Sequence, residues 1–167
     1  MISKPPPSGN LELDKWLQNV RYAVNNSLKS LIVGVSPLGT GSAALHGKHS
    51  ARTLAVGQTA YFEPIIPETV SRFQEAGIRI IPTLTGTIDY TVNFSYAPIG
   101  SDQNISTKTL SVTGLAVTDD EITEIDIPVS TFFTDLDTRD QLGIEIVLDA
   151  ATTTTDIRVM SLFIKYI

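Results

Sequence analysis

Two histidines separated by two residues, His46 and His49, are the first candidates for chemistry in this chain of 167 residues. On a helix this spacing directs both imidazoles to one side, where they could bind a zinc ion. The neighbours are glycine and serine, Lys48 stands between the histidines, and no third ligand is close in the sequence. We therefore interpret the segment as a polar loop and predict no metal site.

Acidic residues form two clusters in the second half of the chain, at positions 119–126 and 135–140. Carboxylate oxygens of this type bind calcium, and paired carboxylates also catalyse glycoside hydrolysis. Neither cluster has the glycine and the final glutamate of an EF-hand loop. Solvated loop carboxylates are the favoured interpretation, and calcium binding stays open at this stage.

The sequence carries no other recognisable catalytic machinery. It contains no cysteine, which excludes disulfides, thiolate ligands and cysteine nucleophiles together. Its serines do not form a nucleophile elbow, and Gly39-Thr40-Gly41 lacks the Gly-Lys-Ser/Thr end of a phosphate-binding loop. We therefore predict a protein that is not an enzyme and binds no cofactor. A glycoside hydrolase acting through the acidic clusters is kept as a less favoured hypothesis.

Charge is divided unevenly along the chain. The formal net charge is −6, but residues 1–53 carry six Lys/Arg against two acids, and residues 54–167 carry six against sixteen. The acidic second part would repel nucleic acid, so no nucleic-acid partner is predicted. No run of ~18–20 apolar residues is present, so no membrane-spanning helix is predicted. The asymmetry indicates two parts with different roles.

The first 33 residues are predicted to form an extended arm and a helix that anchor the protein. Prolines in residues 3–9 favour a polyproline conformation, and from Asn10 onwards apolar residues recur at spacings of four and three. Asn10 can cap the helix, and acidic residues follow in its first turn. The stripe could be a self-associating seam or could pack on the rest of the domain. The predicted interface residues are Leu13, Trp16, Leu17, Val20, Val24, Leu28 and Leu31.

Residues 34–53 contain four glycines and no apolar periodicity. Such a stretch is predicted to be a flexible connector or an extended arm. Since long loops without structure are uncommon inside compact domains, the domain boundary is placed here. The predicted organisation is an anchoring segment at 1–33, a Gly/Ser-rich connector at 34–53 and a β-domain at 54–167.

Beyond the connector the apolar period becomes two. Between Thr87 and Tyr96 every second residue is apolar and the others are polar, which predicts a strand with one buried face. Shorter runs of this kind lie at 78–84, 125–129, 142–148 and 160–166, and strands are also expected near 54–62 and 108–117. With seven or eight strands and no second long helix, the predicted fold is mainly β. It is an antiparallel β-sandwich, jelly-roll-like, preceded by one N-terminal α-helix and an extended arm.

Three stretches, at residues 10–17, 61–67 and 156–166, give the chain a resemblance to a known class of proteins. They are a capped helix, the entrance to a threonine-rich β-domain, and an alternating strand that ends on Tyr166. In this arrangement the chain resembles accessory structural proteins of tailed bacteriophage virions. The resemblance implies a jelly-roll domain that assembles, often as a trimer, as a capsid decoration or cement protein, a head fibre or a tail-associated tip. It implies no catalytic residue.

Two functions follow from the resemblance. In the first, residues 1–53 dock on the major capsid protein or on other virion proteins, and the chain is a homo-oligomer, a trimer, assembled into the virion in the host cytoplasm. In the alternative, the protein is a tail-associated receptor- or carbohydrate-binding tip that uses loops 97–107 and 118–124. The candidate ligand residues in these loops are Asp102, Asn104, Asp119 and Asp120. Aromatic residues able to stack on a sugar or base are Trp16, Tyr61, Phe62, Tyr90, Phe94, Tyr96 and Tyr166, of which Tyr90, Phe94 and Tyr96 are more simply core residues.

Overall fold

The computed structural model describes residues 11–25, 27–98, 100, 106–137, 140–152 and 156–167, of which residues 11, 12, 21–25 and 106 are described by their backbone only. The elements in chain order are α1 (Leu11–Asn25), β1 (Lys29–Gly34), β2 (Ser42–His46), β3 (His49–Ala55), β4 (Thr59–Phe62), β5 (Phe73–Pro82), β6 (Gly86–Ala97), β7 (Ser106–Val117), β8 (Thr123–Ile127), α2 (Val129–Phe132), β9 (Gln141–Ala151) and β10 (Asp156–Tyr166). The predicted arm at residues 3–9 lies outside the described residues.

Two antiparallel sheets form a β-sandwich. The six-stranded sheet has the order β2-β3-β10-β5-β8, with β1 paired to β10 as well, and the four-stranded sheet has the order β4-β9-β6-β7. From β3 to β10 every connection passes from one sheet to the other, except the β6–β7 hairpin. This is a jelly-roll arrangement, and the predicted mainly β fold with one N-terminal helix is confirmed.

The core lies between the two sheets and follows the predicted alternation. On β6 the inward side chains are at most 8% exposed, and the residues between them face outward. The same period of two is present on β9. Since successive side chains of a strand point to opposite faces, one face of each of these strands is dry and the other wet. The buried residues of β6 are Ile88, Tyr90, Val92, Phe94 and Tyr96.

Aromatic side chains next to α2 join the two sheets. Phe133, just after α2, lies with its ring centroid 4.8 Å from that of Phe73 on β5 and 6.1 Å from that of Phe94 on β6. Phe132 lies 4.3 Å from Phe94 by the same measure. These separations are typical of stabilising aromatic pairs. The short helix therefore closes the space between a strand of each sheet.

The predicted connector at 34–53 is wrong, because most of it belongs to the six-stranded sheet. Strand β1 pairs with β10 from Lys29↔Tyr166 to Gly34↔Ser161, and β2 and β3 form a hairpin whose second strand also pairs with β10. Ala51 is 3% exposed. The sandwich therefore begins at Lys29, well before the predicted boundary at residue 54.

The loop between β1 and β2 is held in place by one buried side chain. The guanidinium of Arg52, 9% exposed, donates hydrogen bonds to the backbone carbonyls of Pro37, Gly39 and Gly41. A Cβ atom at Gly41 would lie 2.8 Å from the carbonyl oxygen of Thr53, so the backbone approaches β3 too closely for a side chain. These glycines therefore serve close packing, whereas the sequence suggested flexibility.

The N-terminal helix is shorter than its apolar stripe. α1 ends at Asn25, so Leu28 and Leu31 do not lie on it, and the prediction of one continuous helical stripe is wrong at its end. Leu31 lies on β1 and packs against the core, because residues 29–34 gain a full ladder of backbone pairing with β10. Neither helix in the described part of the chain is long and apolar enough to cross a membrane.

Candidate functional site

Helix α1 presents an apolar face that the sandwich leaves exposed. Trp16 is 58% exposed, Leu13 43% and Val20 39%, and Leu17 between them is half-buried. With 3.6 residues per turn, these positions lie on one side of the helix. The side chain of Val24, the other predicted interface residue on α1, is outside the described residues. We call Leu13, Trp16, Leu17 and Val20 the α1 stripe.

Of the four predicted ligand residues, the structure describes Asp119 and Asp120. Asp102 and Asn104 lie outside the described residues. The backbone N–H of Asp119 donates to Thr85 at 3.0 Å, and the carboxylate of Asp120 accepts a hydrogen bond from Arg158 at 3.1 Å. The backbone N–H of Asp120 also donates to the carbonyl of Pro82 at 3.1 Å. Both acidic residues thus belong to a turn that is tied to neighbouring strands.

The two histidines lie at a hairpin and not in an irregular polar loop. His46 and His49 are directly opposite each other at the end of β2 and the start of β3, joined by the turn Gly47-Lys48. Gly47 has φ +59°, a conformation that favours glycine. The Nδ1 atom of His46 lies 3.2 Å from Nη1 of Arg158. Within the described ranges, no three His, Cys, Asp or Glu side chains are grouped as they would be around a metal ion.

The second acidic cluster is engaged with nearby groups. The Nζ atom of Lys108 lies 2.9 Å from a carboxylate oxygen of Asp135 and donates to the carbonyl of Thr131 at 2.8 Å. The hydrogen bond from Lys108 lowers the pKa of Asp135, and the charge of Lys108 acts in the same direction. The Asp140 carboxylate accepts a hydrogen bond from the backbone N–H of Asp137 at 2.9 Å. This cluster fastens the segment after α2.

The outer face of the four-stranded sheet carries a connected row of polar side chains. The Tyr61 hydroxyl donates to Oε1 of Glu145 at 2.6 Å, and Nδ2 of Asn93 donates to Oε2 of the same carboxylate at 2.9 Å. The Thr109 hydroxyl donates to Oδ1 of Asn93 at 3.0 Å. The four residues are cross-strand neighbours from β4, β9, β6 and β7. We call Tyr61, Glu145, Asn93 and Thr109 the polar row.

A groove runs beside the polar row. Its floor is made of short side chains that are also cross-strand neighbours: Gly143, Ser95 and Thr107. Two adjoining cavities, of about 350 and 230 Å³, share Ser95 and Gly143. The first is bounded by the polar row, and the second by Glu63, Ala97 and Gln141. At roughly 4.8 Å between neighbouring strands, the polar row across four strands is roughly 14 Å long and the floor across three strands roughly 10 Å.

The polar row is not evident as a site in the sequence. The alternation on β6 correctly places Asn93 and Ser95 on the solvent face, and Tyr61 is one of seven aromatic residues able to stack on a sugar. The strands involved are far apart in the chain, however, and the order β4-β9-β6-β7 is not evident from any local pattern. Finding the row from the sequence would have required the strand order of the four-stranded sheet.

Replacing Glu145 with glutamine is expected to lower the pKa of Tyr61 towards the value of about 10 of an ordinary tyrosine. In the folded protein the hydrogen bond to Glu145 raises the pKa of Tyr61, with burial acting in the same direction. Because the folded pKa is raised, the bond contributes stability below about pH 10, and this stability is lost as pH rises through the folded pKa. An ultraviolet titration of tyrosinate, with Tyr61→Phe to identify the transition of Tyr61, measures the shift. An unchanged transition in Glu145→Gln would contradict the bond.

Solved structures that match this chain come from several kinds of protein. The CBM22-1–GH10 modules of Clostridium thermocellum endo-1,4-β-D-xylanase 10B, solved with xylohexaose, match at 13% identity and a TM-score of 0.50, over 81% of this chain and 26% of that chain. The family 11 carbohydrate-binding module of the C. thermocellum cellulase Lic26A-Cel5E matches at 12% identity and a TM-score of 0.47, over 82% of this chain and 86% of that chain. The enzymatically active domain of bacteriophage CBA120 tailspike protein 4 matches at 9% identity and a TM-score of 0.37, over 83% of this chain and 19% of that chain.

These comparisons concern the fold. This chain spans about a quarter of the length of the xylanase chain, and that similarity supports the β-sandwich architecture. No family model matches the sequence, and no curated protein matches it either.

Proposed function

We propose that the protein is a non-enzymatic structural component of a bacteriophage virion, in which the α1 stripe joins the chain to copies of itself and the β-sandwich projects as an independent body. The observation that carries the proposal is the exposure of Leu13, Trp16 and Val20 on one face of α1. Clustered apolar side chains of this size mark interaction surfaces. The placement in a virion, as a capsid decoration or head-fibre subunit, depends on the resemblance of residues 10–17, 61–67 and 156–166 to accessory virion proteins.

Helix length supports association through α1. A helix of 15 residues is marginal in water unless it packs against something. The spacing of Leu13, Leu17 and Val20, four and three residues apart, is the a/d spacing of a coiled-coil seam. Packing several copies of the helix together would bury the exposed stripe and stabilise the helix at the same time. A trimer is the assembly that we propose.

The charge distribution supports a projecting acidic sandwich but does not make the N-terminal segment strongly basic. Once residues 29–53 are assigned to the sandwich, it carries nine Lys/Arg against sixteen Asp/Glu, a net charge of −7, and residues 1–28 carry only +1. Three of the six Lys/Arg of residues 1–53 therefore belong to the sandwich. The acidic sandwich would keep neighbouring copies apart by repulsion, while the attachment itself is apolar.

The double substitution Leu13→Asp/Val20→Asp is expected to convert the oligomer to single chains, because it places a charge at both ends of the α1 stripe. Light scattering of the full chain measures the mass. The matched control is Gln18→Asp/Asn19→Asp, which adds the same charge on exposed residues outside the stripe and should keep the wild-type mass. A wild-type chain that is already monomeric, or an oligomer unaffected by the first substitution, would contradict the seam.

Labelling purified particles with an antibody against the sandwich tests the location. Label on the capsid supports the decoration or head-fibre role, and label on the tail supports the tip. Particles that contain the major capsid protein but carry no label would refute a virion component.

The second candidate function is a tail-associated receptor- or carbohydrate-binding tip, and the groove on the four-stranded sheet is the observation that favours it. The similar xylanase modules were solved with xylohexaose, but at 13% identity that comparison transfers only the fold. In both candidate functions we propose that the protein is not an enzyme. Both carboxylate oxygens of Glu145 already accept hydrogen bonds, which suits an anchoring acceptor better than an acid or base.

A further inference from the structure

We propose that the groove beside the polar row is a binding site for a short neutral oligosaccharide, with the polar row supplying its hydrogen bonds. The inference rests on the second candidate function and moves its site from loops 97–107 and 118–124 to the outer face of the four-stranded sheet. Three features carry it: the hydrogen-bonding capacity of the row, the shape of the groove floor and the charge of its lining.

The polar row retains hydrogen-bonding capacity after its internal bonds are made. Asn93 uses one of its two N–H groups on Glu145, and each oxygen of Glu145 uses one lone pair. The hydroxyl of Thr109 donates to Asn93 and can still accept. A row that offers both donors and acceptors matches a sugar, whose hydroxyl groups both donate and accept.

The row is also preorganised. Each of its side chains is anchored on a different strand and fixed by its neighbour through a bond of 2.6 to 3.0 Å. Binding therefore costs little side-chain entropy. Tyr61 stands at the end of the row on the edge strand β4, where its partly buried ring offers the amphipathic surface that sugars contact.

The floor lets a ligand approach the sheet backbone. Gly143 has no side chain, and Ser95 and Thr107 on the next two strands are short, whereas Gln141 and Glu63 line the second cavity. The floor crosses three strands over roughly 10 Å beside a polar row of roughly 14 Å, which suits a short chain of rings better than a single compact metabolite.

The charge of the lining excludes anionic ligands. Two carboxylates, Glu63 and Glu145, line the groove, and its described lining residues include no Lys or Arg. Phosphates, nucleic acids and acidic polysaccharides would therefore be repelled. Among oligosaccharides, the uncharged ones remain as the class that fits.

The test is a binding screen of the labelled full chain against arrays of neutral and acidic oligosaccharides. Wild type is expected to bind members of the neutral set, and Asn93→Ala is expected to weaken binding about tenfold because it interrupts the row at its centre. Gly143→Leu should abolish binding by filling the floor. An added Cβ there meets only Ser95, at 3.5 Å or more, so this variant is expected to fold. Thr91→Ala, on the same strand and face but outside the groove, is the matched control and should bind as wild type does.

The outcomes separate the site from the function. Loss of binding in Asn93→Ala and Gly143→Leu with unchanged thermal unfolding supports the groove. If wild type binds neutral oligosaccharides and both groove variants bind equally well, the groove is not the binding site, while the carbohydrate-binding function stands. If wild type binds no neutral oligosaccharide, or binds only acidic ones, the proposed ligand class is overturned as well. None of these results depends on the α1 stripe.

Discussion

Replacing Phe94 with alanine is expected to lower the free energy of unfolding by about 3–5 kcal/mol. Phe94 is 1% exposed, and its ring packs against Phe132 and Phe133 with centroids 4.3 and 6.1 Å away. The substitution removes buried apolar surface and leaves a cavity where the four-stranded sheet meets α2. Since α2 also contacts the other sheet through Phe73, the loss would loosen the packing of the whole sandwich. Denaturant titration followed by circular dichroism measures the change.

Ser95→Ala is the matched control for this substitution. Ser95 is the next residue on β6 and faces outward, so removing its hydroxyl should change the free energy of unfolding by less than about 0.5 kcal/mol. Equal effects of the two substitutions would mean that β6 does not present alternate faces to core and solvent, and the sandwich as described would be refuted.

Replacing Arg52 with methionine is expected to cost roughly 3 kcal/mol of stability. Methionine keeps much of the apolar stem but removes the charged donors to the carbonyls of Pro37, Gly39 and Gly41. Carbonyls that stay buried without a donor are costly, so the loop at 36–41 should open to let water reach them. Faster hydrogen exchange and protease cleavage confined to this loop would accompany the lower stability.

Arg72→Met is the control, because Arg72 is exposed and its guanidinium bonds Gln74 at 3.2 Å. It should leave stability within about 0.5 kcal/mol of wild type. If Arg52→Met were equally neutral and the loop stayed protected, the role given to Arg52 would be wrong. The loop would then be held by its hydrogen bonds to β4, which Ser36 and Gly41 make through the backbone and Thr40 through its side chain.

The strands with strict alternation were predictable, whereas β1 and β2 were not. On β6 each inward residue is apolar and each outward one polar, because one face packs on the core and the other meets water. Strands β1 and β2 bury little, so their sequence shows no such contrast. They exist as strands through backbone pairing, β1 with β10 at the other end of the chain and β2 with β3.

The groove was beyond sequence-based prediction for a related reason. The polar row beside it contains the pairs Tyr61–Glu145 and Asn93–Thr109. These residues become neighbours only through the register of β4, β9, β6 and β7. The residue types were visible in the sequence, but their spatial relation was not. Asp119 and Asp120 are candidate ligand residues because loops on rigid sheets commonly carry recognition, and the structure adds that Asp120 pairs with Arg158.

By itself, the sequence determined that this protein is a β-sandwich with a helix before it, and which face of its most regular strands is buried. That information is local, because the pleat turns successive side chains to opposite sides and an apolar period of two records it. Only the tertiary structure decided that residues 29–55 belong to the sheet, that α1 keeps an apolar face exposed, and that a polar row and groove cross the four-stranded sheet. Strand order and register are set by pairings between distant segments, and no local pattern of apolar residues within one segment reports them.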